Sequence, residues 1–372
     1  MVCSPLSLSL FHTHTHNIFD ILFFLVSQDP GAENVRYEEV SIQWSYLFLS
    51  LLLLLLDLCS SFCVHMIQEF IKNPRGQRIF TCKWLPQNKE PKALIFLCHG
   101  YAMECSISMK DTGTRLAKAG YAVHGMDYEG HGKSSGLQGY IPRFKNLTDD
   151  CFEHFVAICE RHENKKKARF LLGESMGGAV AILLHRRNPC YWNGAVLVAP
   201  MCKIADDMKP HPAMNIILRK LSNIIPTWRI VPTKDIIDIA FKCPEKRQEI
   251  RSNQYCYNGK PRLKTGVELL MVSLDIEQKL HQVSLPFLIV HGGEDIVIDP
   301  SVSKLLYETA SSEDKTFKLY PGMWHALTSG EAPENIDLVF SDIVAWLDRR
   351  RAAGEGSLRS EMEHKLRHDK QR

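Results

Sequence analysis

Residues 168–187 read ARFLLGESMGGAVAILLHRR, and this stretch decides the fold. The apolar run Ala168–Leu172 predicts a buried strand, and the alanine- and leucine-rich run Gly177–Arg187 predicts a helix. Between them, GESMG at 173–177 places Ser175 on a sharp strand-to-helix turn. Such a turn needs glycine on both sides of the serine, because side chains there would collide with the neighbouring strand and helix.

The same alternation of strands and helices extends outward from this stretch. Helical patterns occur at Thr112–Ala119 and Thr148–Glu160, and between 200 and 285 the sequence is rich in Met and Ile without a strand pattern. Further apolar runs predict six more strands, at Ile79–Trp84, Ala93–Cys98, Tyr121–Asp127, Ala195–Ala199, Phe287–Val290 and Phe317–Tyr320. We therefore predict a doubly wound α/β fold, with a mostly parallel sheet and an inserted helical cap at about 201–280.

Ser175 is the candidate nucleophile, and it needs a histidine as base and a carboxylate to orient that histidine. On this type of turn the chain order is serine, acid, histidine. The sequence HGGED follows the strand Phe287–Val290, which offers Asp295 and, one position earlier, Glu294 as the acid. His325 is then the base, because the two later histidines lie in a charged tail.

Two backbone N–H groups should stabilise the negative charge of a tetrahedral intermediate. One belongs to Met176, the residue after the nucleophile, and the other is expected at Tyr101, in the loop after the strand Ala93–Cys98. His99 precedes Ser175, so we interpret it as structural. The predicted reaction uses no cofactor and no metal, and the twelve cysteines form no CxxC pair or zinc-finger spacing.

Five ordered motifs resemble the monoacylglycerol lipase-like branch of the α/β-hydrolases, which includes caffeoylshikimate esterase. This group is also labelled serine aminopeptidase S33 or lysophospholipase-type. The motifs are HGY at 99–101, MDYEGHGKSSG at 126–136, GESMGG at 173–178, HGGEDIVIDP at 291–300 and GMWHAL at 322–327. The resemblance implies the α/β-hydrolase fold, a catalytic triad of Ser175, Asp295 and His325, and an oxyanion hole formed by the Tyr101 and Met176 amides.

The resemblance also implies a serine carboxylic-ester hydrolase that acts on a monoacylglycerol or lysolipid through an acyl-enzyme on Ser175. A caffeoylshikimate-type esterase or an acyltransferase remains an alternative, since each would use the same triad. A ligand receptor that retains the hydrolase fold is an alternative of another class, although a receptor has no need of the acid and base. One departure from the family is Ala102, where relatives commonly have a second glycine.

The N-terminal residues 1–67 do not conform to this family. Nine leucines lie between Leu47 and Leu58, and Asp57 is the only charged residue of the window 44–64. As translated sequence this window predicts a possible transmembrane segment and single-span anchor. A second hypothesis is that Val40–Gln68 is an insertion, because the sequences on its two sides look like halves of one family segment.

We expect the hydrolase domain at 68–348 and a charged tail at 349–372 that is disordered, with a partly helical tail as the alternative. The net charge is +3, of which the tail contributes +4, so the rest of the chain does not predict a nucleic-acid partner. The expected partners are a small-molecule lipid or phenolic ester and a membrane surface. Scattered cysteines favour a reducing compartment, either the cytoplasm or the cytoplasmic face of a membrane.

Overall fold

One sheet of eight strands forms the centre of the computed structural model. The strands are β1 (Val64–Lys72), β2 (Arg78–Pro86), β3 (Leu94–Cys98), β4 (Ala122–Met126), β5 (Arg169–Glu174), β6 (Gly194–Val198), β7 (Phe287–Gly292) and β8 (Lys315–Tyr320). Their order is β1-β2-β4-β3-β5-β6-β7-β8. β1 pairs antiparallel with β2 and β2 with β4, while the pairs from β4 to β8 are parallel. The residues described are 64–87, 89–203, 211–231 and 235–369, with side chains only up to 352.

Seven of the eight strands lie where the apolar runs predicted them, and β1 is the strand that the sequence did not reveal. It begins at Val64, four residues before the expected domain start at Gln68, and Val64 is paired with Pro86. β1 lies at the edge of the sheet and alternates exposed with half-buried residues, so it lacks the continuous apolar pattern of the inner strands. Except for Val64, the leucine-rich window 44–64 lies outside the described residues. No helix in the described ranges is long and apolar enough to cross a membrane.

Helices cover both faces of the sheet, as a doubly wound fold requires. The helices are α1 (Lys110–Lys118), α2 (Phe144–Cys159), α3 (Met176–Arg187), α4 (Pro212–Ile224), α5 (Ile236–Ala240), α6 (Pro244–Ser252), α7 (Leu263–Gln278), α8 (Pro300–Thr309) and α9 (Pro333–Asp369). One core cluster contains side chains of α2, α3 and α8, and a second contains those of α1 and α9. Trp346 of α9 is fully buried against Phe170 of β5, and burial of such a side chain stabilises by about 1.5–3 kcal/mol.

The insertion between β6 and β7 is helical, as the sequence predicted, and it contains α4 to α7. Its last helix differs from the other three in how it packs. Ile276 of α7 is fully buried in the same core cluster as α3, and Leu269 and Val272 pack against that cluster. The expected cap range of 201–280 therefore includes a helix that packs on the body of the fold.

The C-terminal tail differs from the sequence prediction. Helix α9 continues to Asp369, through most of the segment 349–372 that we expected to be disordered. The segment lacks proline and contains Ala, Glu, Leu, Met, Lys and Arg, which have high helix propensity and extend the helix begun by the buried part of α9. The segment is charged, as the sequence shows, but a charged composition by itself does not exclude a helix.

The sheet topology places four loops at the same end of the sheet, where the parallel strands have their carboxyl ends. Strands β3, β5, β7 and β8 run parallel, so the loops at their carboxyl ends lie on the same side. β3 lies between β4 and β5 in the sheet. The chain runs from β3 to β4 on one side and then crosses to β5 on the other, so the strand order reverses at β3. Ligand sites in such sheets lie at this switch point. Tyr101 follows β3 and Ser175 follows β5, so both residues lie at that position.

The packing of α1 against β2 yields a prediction about Gly113. A Cβ atom added to Gly113 would lie 2.5 Å from the ring of Trp84, which is 1% exposed. In an open helix, glycine to alanine stabilises by about 0.5–1 kcal/mol, whereas forced overpacking costs about 1–3 kcal/mol. We therefore expect Gly113→Ala to lower the melting temperature measured by calorimetry. An unchanged or raised melting temperature would contradict this packing.

Candidate active site

Ser175 lies on a strained turn between β5 and α3. Its backbone has φ of 54° and ψ of −118°, a conformation that is uncommon for any residue with a side chain. A Cβ atom on Gly177 would lie 1.8 Å from the carbonyl oxygen of Cys98, and one on Gly173 would lie 2.2 Å from that of Gly177. The Ser175 N–H donates to the Val198 carbonyl at 2.9 Å. The turn is thus held between β3 and β6, which fixes the direction of the serine side chain.

The N-terminus of α3 and the loop after β3 lie beside this serine. Met176 is the first residue of α3, and the first N–H groups of a helix have no acceptor within the helix. Position 100 adjoins Ser175, since a Cβ atom on Gly100 would lie 3.5 Å from the Ser175 Cβ. Tyr101 follows directly and its hydroxyl donates to the Gly139 carbonyl at 2.9 Å. The two N–H groups predicted to form the oxyanion hole are those of Met176 and Tyr101.

The side chain of His99 holds the backbone of this loop through hydrogen bonds. The Tyr128 N–H donates to His99 Nε2 at 3.2 Å, so Nδ1 carries the proton and donates to the Gly100 carbonyl at 2.8 Å. Burial lowers the pKa of His99 well below its ordinary value, and His131 lowers it further. A neutral, fully buried histidine with both nitrogens engaged orders the backbone near the site, which agrees with its structural interpretation.

Asp295 and His325 form a close pair. His325 Nδ1 lies 2.7 Å from Asp295 Oδ2, and Asp295 Oδ1 accepts from the N–H groups of Val297 and Ile298 at 2.8 and 3.0 Å. Burial alone would raise the pKa of Asp295, but hydrogen bonds from His291 and His325 hold it well below its usual range. Asp295 is therefore an ionised acceptor that can fix the tautomer and ring orientation of His325.

The structure separates the two candidate acids and adds a residue that the sequence did not single out. Glu294 is exposed, whereas Asp295 is 5% exposed and contacts His325. His291 Nε2 also lies 3.0 Å from Asp295 Oδ2, and His291 Nδ1 lies 2.7 Å from Ser303 Oγ. The four-residue spacing of His291 and Asp295 within HGGED was the only sequence signal for this contact.

Glu174 joins the serine turn to the histidine loop. The Thr328 hydroxyl donates to Glu174 Oε1 at 2.8 Å, and Thr328 follows His325 by three residues. Burial raises the pKa of Glu174 to about 7, and the Thr328 hydrogen bond opposes this rise. The contact links two segments that a hydrolytic mechanism must hold in register.

In the described part of the chain, no three His, Cys, Asp or Glu side chains are grouped as a metal site.

The comparison with known families places the chain in one of them. A family model described as serine aminopeptidase, S33, matches residues 89–332. The chain belongs to the S33 family. The matched range contains all five residues of the predicted site, and the chain is accordingly a serine ester hydrolase with the α/β-hydrolase fold.

Two relatives of this chain in the S33 family are named for different ester substrates. A caffeoylshikimate esterase of Arabidopsis thaliana is 35% identical over 284 residues, which cover 76% of this chain and 85% of the relative. A monoglyceride lipase of Homo sapiens is 32% identical over 289 residues, which cover 77% of this chain and 92% of the relative. A solved structure of monoglyceride lipase from Saccharomyces cerevisiae has a TM-score of 0.66, covers 76% of this chain and 94% of its own, and shares 20% identity.

The raised pKa of Glu174 predicts how stability depends on pH. The ordinary value is 4.5, so between about pH 4.5 and 7 the folded protein holds a proton that the unfolded chain has released. The contribution of Glu174 to stability is therefore lost as pH rises through 7. Glu174→Gln keeps an oxygen acceptor for Thr328 but carries no charge. We expect its melting temperature to exceed that of the wild type by about 2–4 °C at pH 8 and to match it at pH 5.

Scanning fluorimetry at the two pH values provides the measurement, and Glu294→Gln is the matched control because Glu294 is exposed. An equal gain at both pH values would mean that removal of the charge is not the cause.

Proposed function

We propose that this chain hydrolyses the carboxylic ester of a lipid alcohol, a monoacylglycerol or lysolipid, through an acyl-enzyme on Ser175. The observation that carries the proposal is the 2.7 Å contact between His325 Nδ1 and Asp295 Oδ2 at the sheet edge where the strained Ser175 turn lies. Neither partner of this pair is needed for ligand binding alone, so the contact favours an enzyme over a receptor. The roles of Ser175, Asp295 and His325 are part of the proposal.

The reaction begins with attack of Ser175 Oγ on the ester carbonyl while His325 Nε2 accepts the hydroxyl proton. Asp295 accepts the Nδ1–H of His325 and stabilises the imidazolium that forms. The N–H groups of Tyr101 and Met176 donate to the oxyanion of the tetrahedral intermediate. His325 then protonates the departing alcohol. Water activated by the same histidine attacks the acyl-enzyme and releases the carboxylic acid, which restores Ser175.

Two features favour a substrate with an alkyl chain. The insertion over the sheet edge contains methionine and isoleucine at exposed positions, including Met214, Ile216 and Ile217. Exposed apolar side chains of this kind, with the flexible side chain of methionine among them, suit an entrance for acyl chains. The human relative is named a monoglyceride lipase, and the match extends over 92% of its length.

A phenolic ester of the caffeoylshikimate type is the second candidate substrate. The observation in its favour is the 35% identity to the caffeoylshikimate esterase of Arabidopsis thaliana, which exceeds the 32% identity to the human lipase. The same triad would act on either ester, so the two candidates differ only in what fills the acyl and alcohol sites. Hydrolysis of a monoacylglycerol, a lysophosphatidylcholine and caffeoylshikimate, compared by kcat/KM, would rank them.

The triad yields the first test of this function. We expect Ser175→Ala to abolish labelling by a fluorophosphonate probe and hydrolysis of p-nitrophenyl acetate. Asp295→Asn should reduce kcat by about 10⁴-fold, because an amide favours the wrong tautomer of His325. Glu294→Gln is the matched control for the acid and should retain wild-type kcat, since Glu294 is exposed. Probe labelling that persists in Ser175→Ala would overturn the nucleophile assignment.

We also propose that the insertion contacts a lipid surface. Between 211 and 231 the sequence contains Arg219, Lys220 and Arg229 and no acidic residue. Large apolar side chains are exposed in the same range, with Ile224 at 76% and Trp228 at 58%. Basic residues beside exposed isoleucines and a tryptophan suit the interface of an anionic bilayer. A substrate dissolved in that bilayer would then lie near the cap.

Vesicle sedimentation tests this surface, with a chain that starts at Phe62 and therefore lacks the nine leucines of the leucine-rich window. We expect Ile216→Ser, Ile217→Ser and Ile224→Ser together to weaken partition onto phosphatidylcholine–phosphatidylserine vesicles by about tenfold or more, because apolar burial is lost. Leu338→Ser is the control, since Leu338 is 51% exposed on α9, outside the cap. Equal partition of the triple variant and the wild type would contradict the proposed surface.

A further inference from the structure

The loop between β3 and α1, residues 99–109, is held from the cap as well as from the sheet. Asn253, at the end of α6, donates from Nδ2 to Glu104 Oε1 at 3.1 Å. The Tyr257 N–H donates to the Ala102 carbonyl at 2.9 Å. Between these two contacts, Cys256 Sγ lies 3.4 Å from Ser108 Oγ. We call residues 253–257 the clamp segment. Its contacts are with Ala102, Glu104 and Ser108, which all follow Tyr101 in the chain.

Ala102 makes the loop dependent on such support. Its φ is +65°, a left-handed conformation in which the Cβ atom crowds the backbone. Glycine adopts this conformation without that penalty. Ala102 directly follows Tyr101, so a change of φ at Ala102 would redirect the peptide units around the proposed oxyanion donor. The Tyr257 N–H holds the carbonyl of the strained residue itself.

Glu104 connects the clamp segment to the remainder of the loop. Its carboxylate is fully buried and accepts from the Ser106 hydroxyl, the Ile107 N–H, and both the N–H and the hydroxyl of Ser108, at 2.7–2.9 Å. A buried carboxylate requires such donors, so this cluster closes the loop on itself. Asn253 adds a donor from a different part of the fold, 149 positions away in the chain.

The orientation of the Asn253 amide is set by its two partners. Its Oδ1 accepts from the Tyr255 N–H at 3.0 Å, which leaves Nδ2 to donate to Glu104. Asn253 is 9% exposed and its backbone N–H donates to the Glu249 carbonyl. The side chain is therefore fixed at both ends, and it transmits the position of α6 to the loop.

We propose that Asn253 is a positioning residue of the reaction: with the Tyr257 N–H, it fixes the loop so that the Tyr101 N–H points at the oxyanion. This inference rests on the proposed function, because it assumes the acyl-enzyme mechanism at Ser175. It extends that function by making the cap part of the oxyanion machinery as well as a cover for substrate. Loss of the Asn253 and Tyr257 contacts would weaken stabilisation of the intermediate, because the Tyr101 N–H would no longer be fixed.

Asn253→Ser is the decisive variant. A serine hydroxyl can still accept from the Tyr255 N–H in a local turn, but it is too short to reach Glu104. With p-nitrophenyl acetate, which is too small to depend on contacts with the cap, we expect kcat to fall about tenfold to a hundredfold while KM changes less than about twofold. The inhibition constant of a trifluoromethyl ketone, whose adduct with Ser175 carries an oxyanion, should rise by the same factor as kcat falls.

Ala102→Gly provides a rescue that a purely structural role would not show. In the Asn253→Ser background, we expect it to restore kcat severalfold, because glycine no longer opposes the left-handed conformation. Ser252→Ala is the matched control, since Ser252 is the exposed neighbour of Asn253 and its hydroxyl donates only to the Glu249 carbonyl, within the same helix. It should leave kcat and the inhibition constant unchanged.

Two outcomes would overturn the inference: an unchanged kcat in Asn253→Ser, or a lowered kcat that Ala102→Gly does not improve. If Asn253→Ser does not fold, Asn253→Ala serves as the second variant and is judged by the same kinetic measurements. Ser175→Ala separates this inference from the proposed function. Loss of activity in Ser175→Ala together with normal kcat in Asn253→Ser would reject the role of Asn253 alone, whereas activity in Ser175→Ala would reject both.

Discussion

The close approach of three backbone segments at Ser175 is the constraint on which the site depends. The turn fits only because positions 173 and 177 have no side chain, and the carbonyl of Cys98 occupies the space that a Cβ on Gly177 would need. The Ser175 N–H is at the same time bonded to Val198. β3, β5 and β6 thus hold the turn in a backbone conformation that a free chain would leave, and this strain is stored at Ser175, directly before α3.

Three carboxylates organise the loops around this turn, each in a different way, and those of Asp295 and Glu104 are buried while Glu174 is half-buried. Asp295 accepts hydrogen bonds from the Val297 and Ile298 N–H groups through one oxygen, contacts His325 and His291 through the other, and stays ionised. Glu104 accepts five and orders the loop that follows β3. Glu174, with the single donor Thr328 recorded for its side chain, has its pKa raised to about 7. Hydrogen bonds hold the Asp295 carboxylate ionised, whereas burial, opposed only by the Thr328 hydrogen bond, brings the pKa of Glu174 near neutral pH.

Much of this architecture could be predicted from sequence because it is written in local patterns. Inner strands buried on both faces produce apolar runs, and the serine turn has a glycine signature, so Ser175, the six inner strands and the edge strand β8 were recognisable. β1 escaped because an edge strand alternates only weakly, and the tail was misjudged because helix propensity outweighed charge. The contacts of Thr328 with Glu174 and Asn253 with Glu104 join separate segments, which no local pattern reveals.

The helical insertion leaves the sheet after β6 and returns at β7, two strands that are paired in parallel register. Its length and sequence can therefore vary without changing the register of the strands that present the site. Under the proposed role of Asn253, residues 253–257 are a part of the insertion whose change would also disturb the loop after β3. Elsewhere in α4 to α6, a substitution could alter which esters are accepted while the strands and loops that carry the chemistry stay the same.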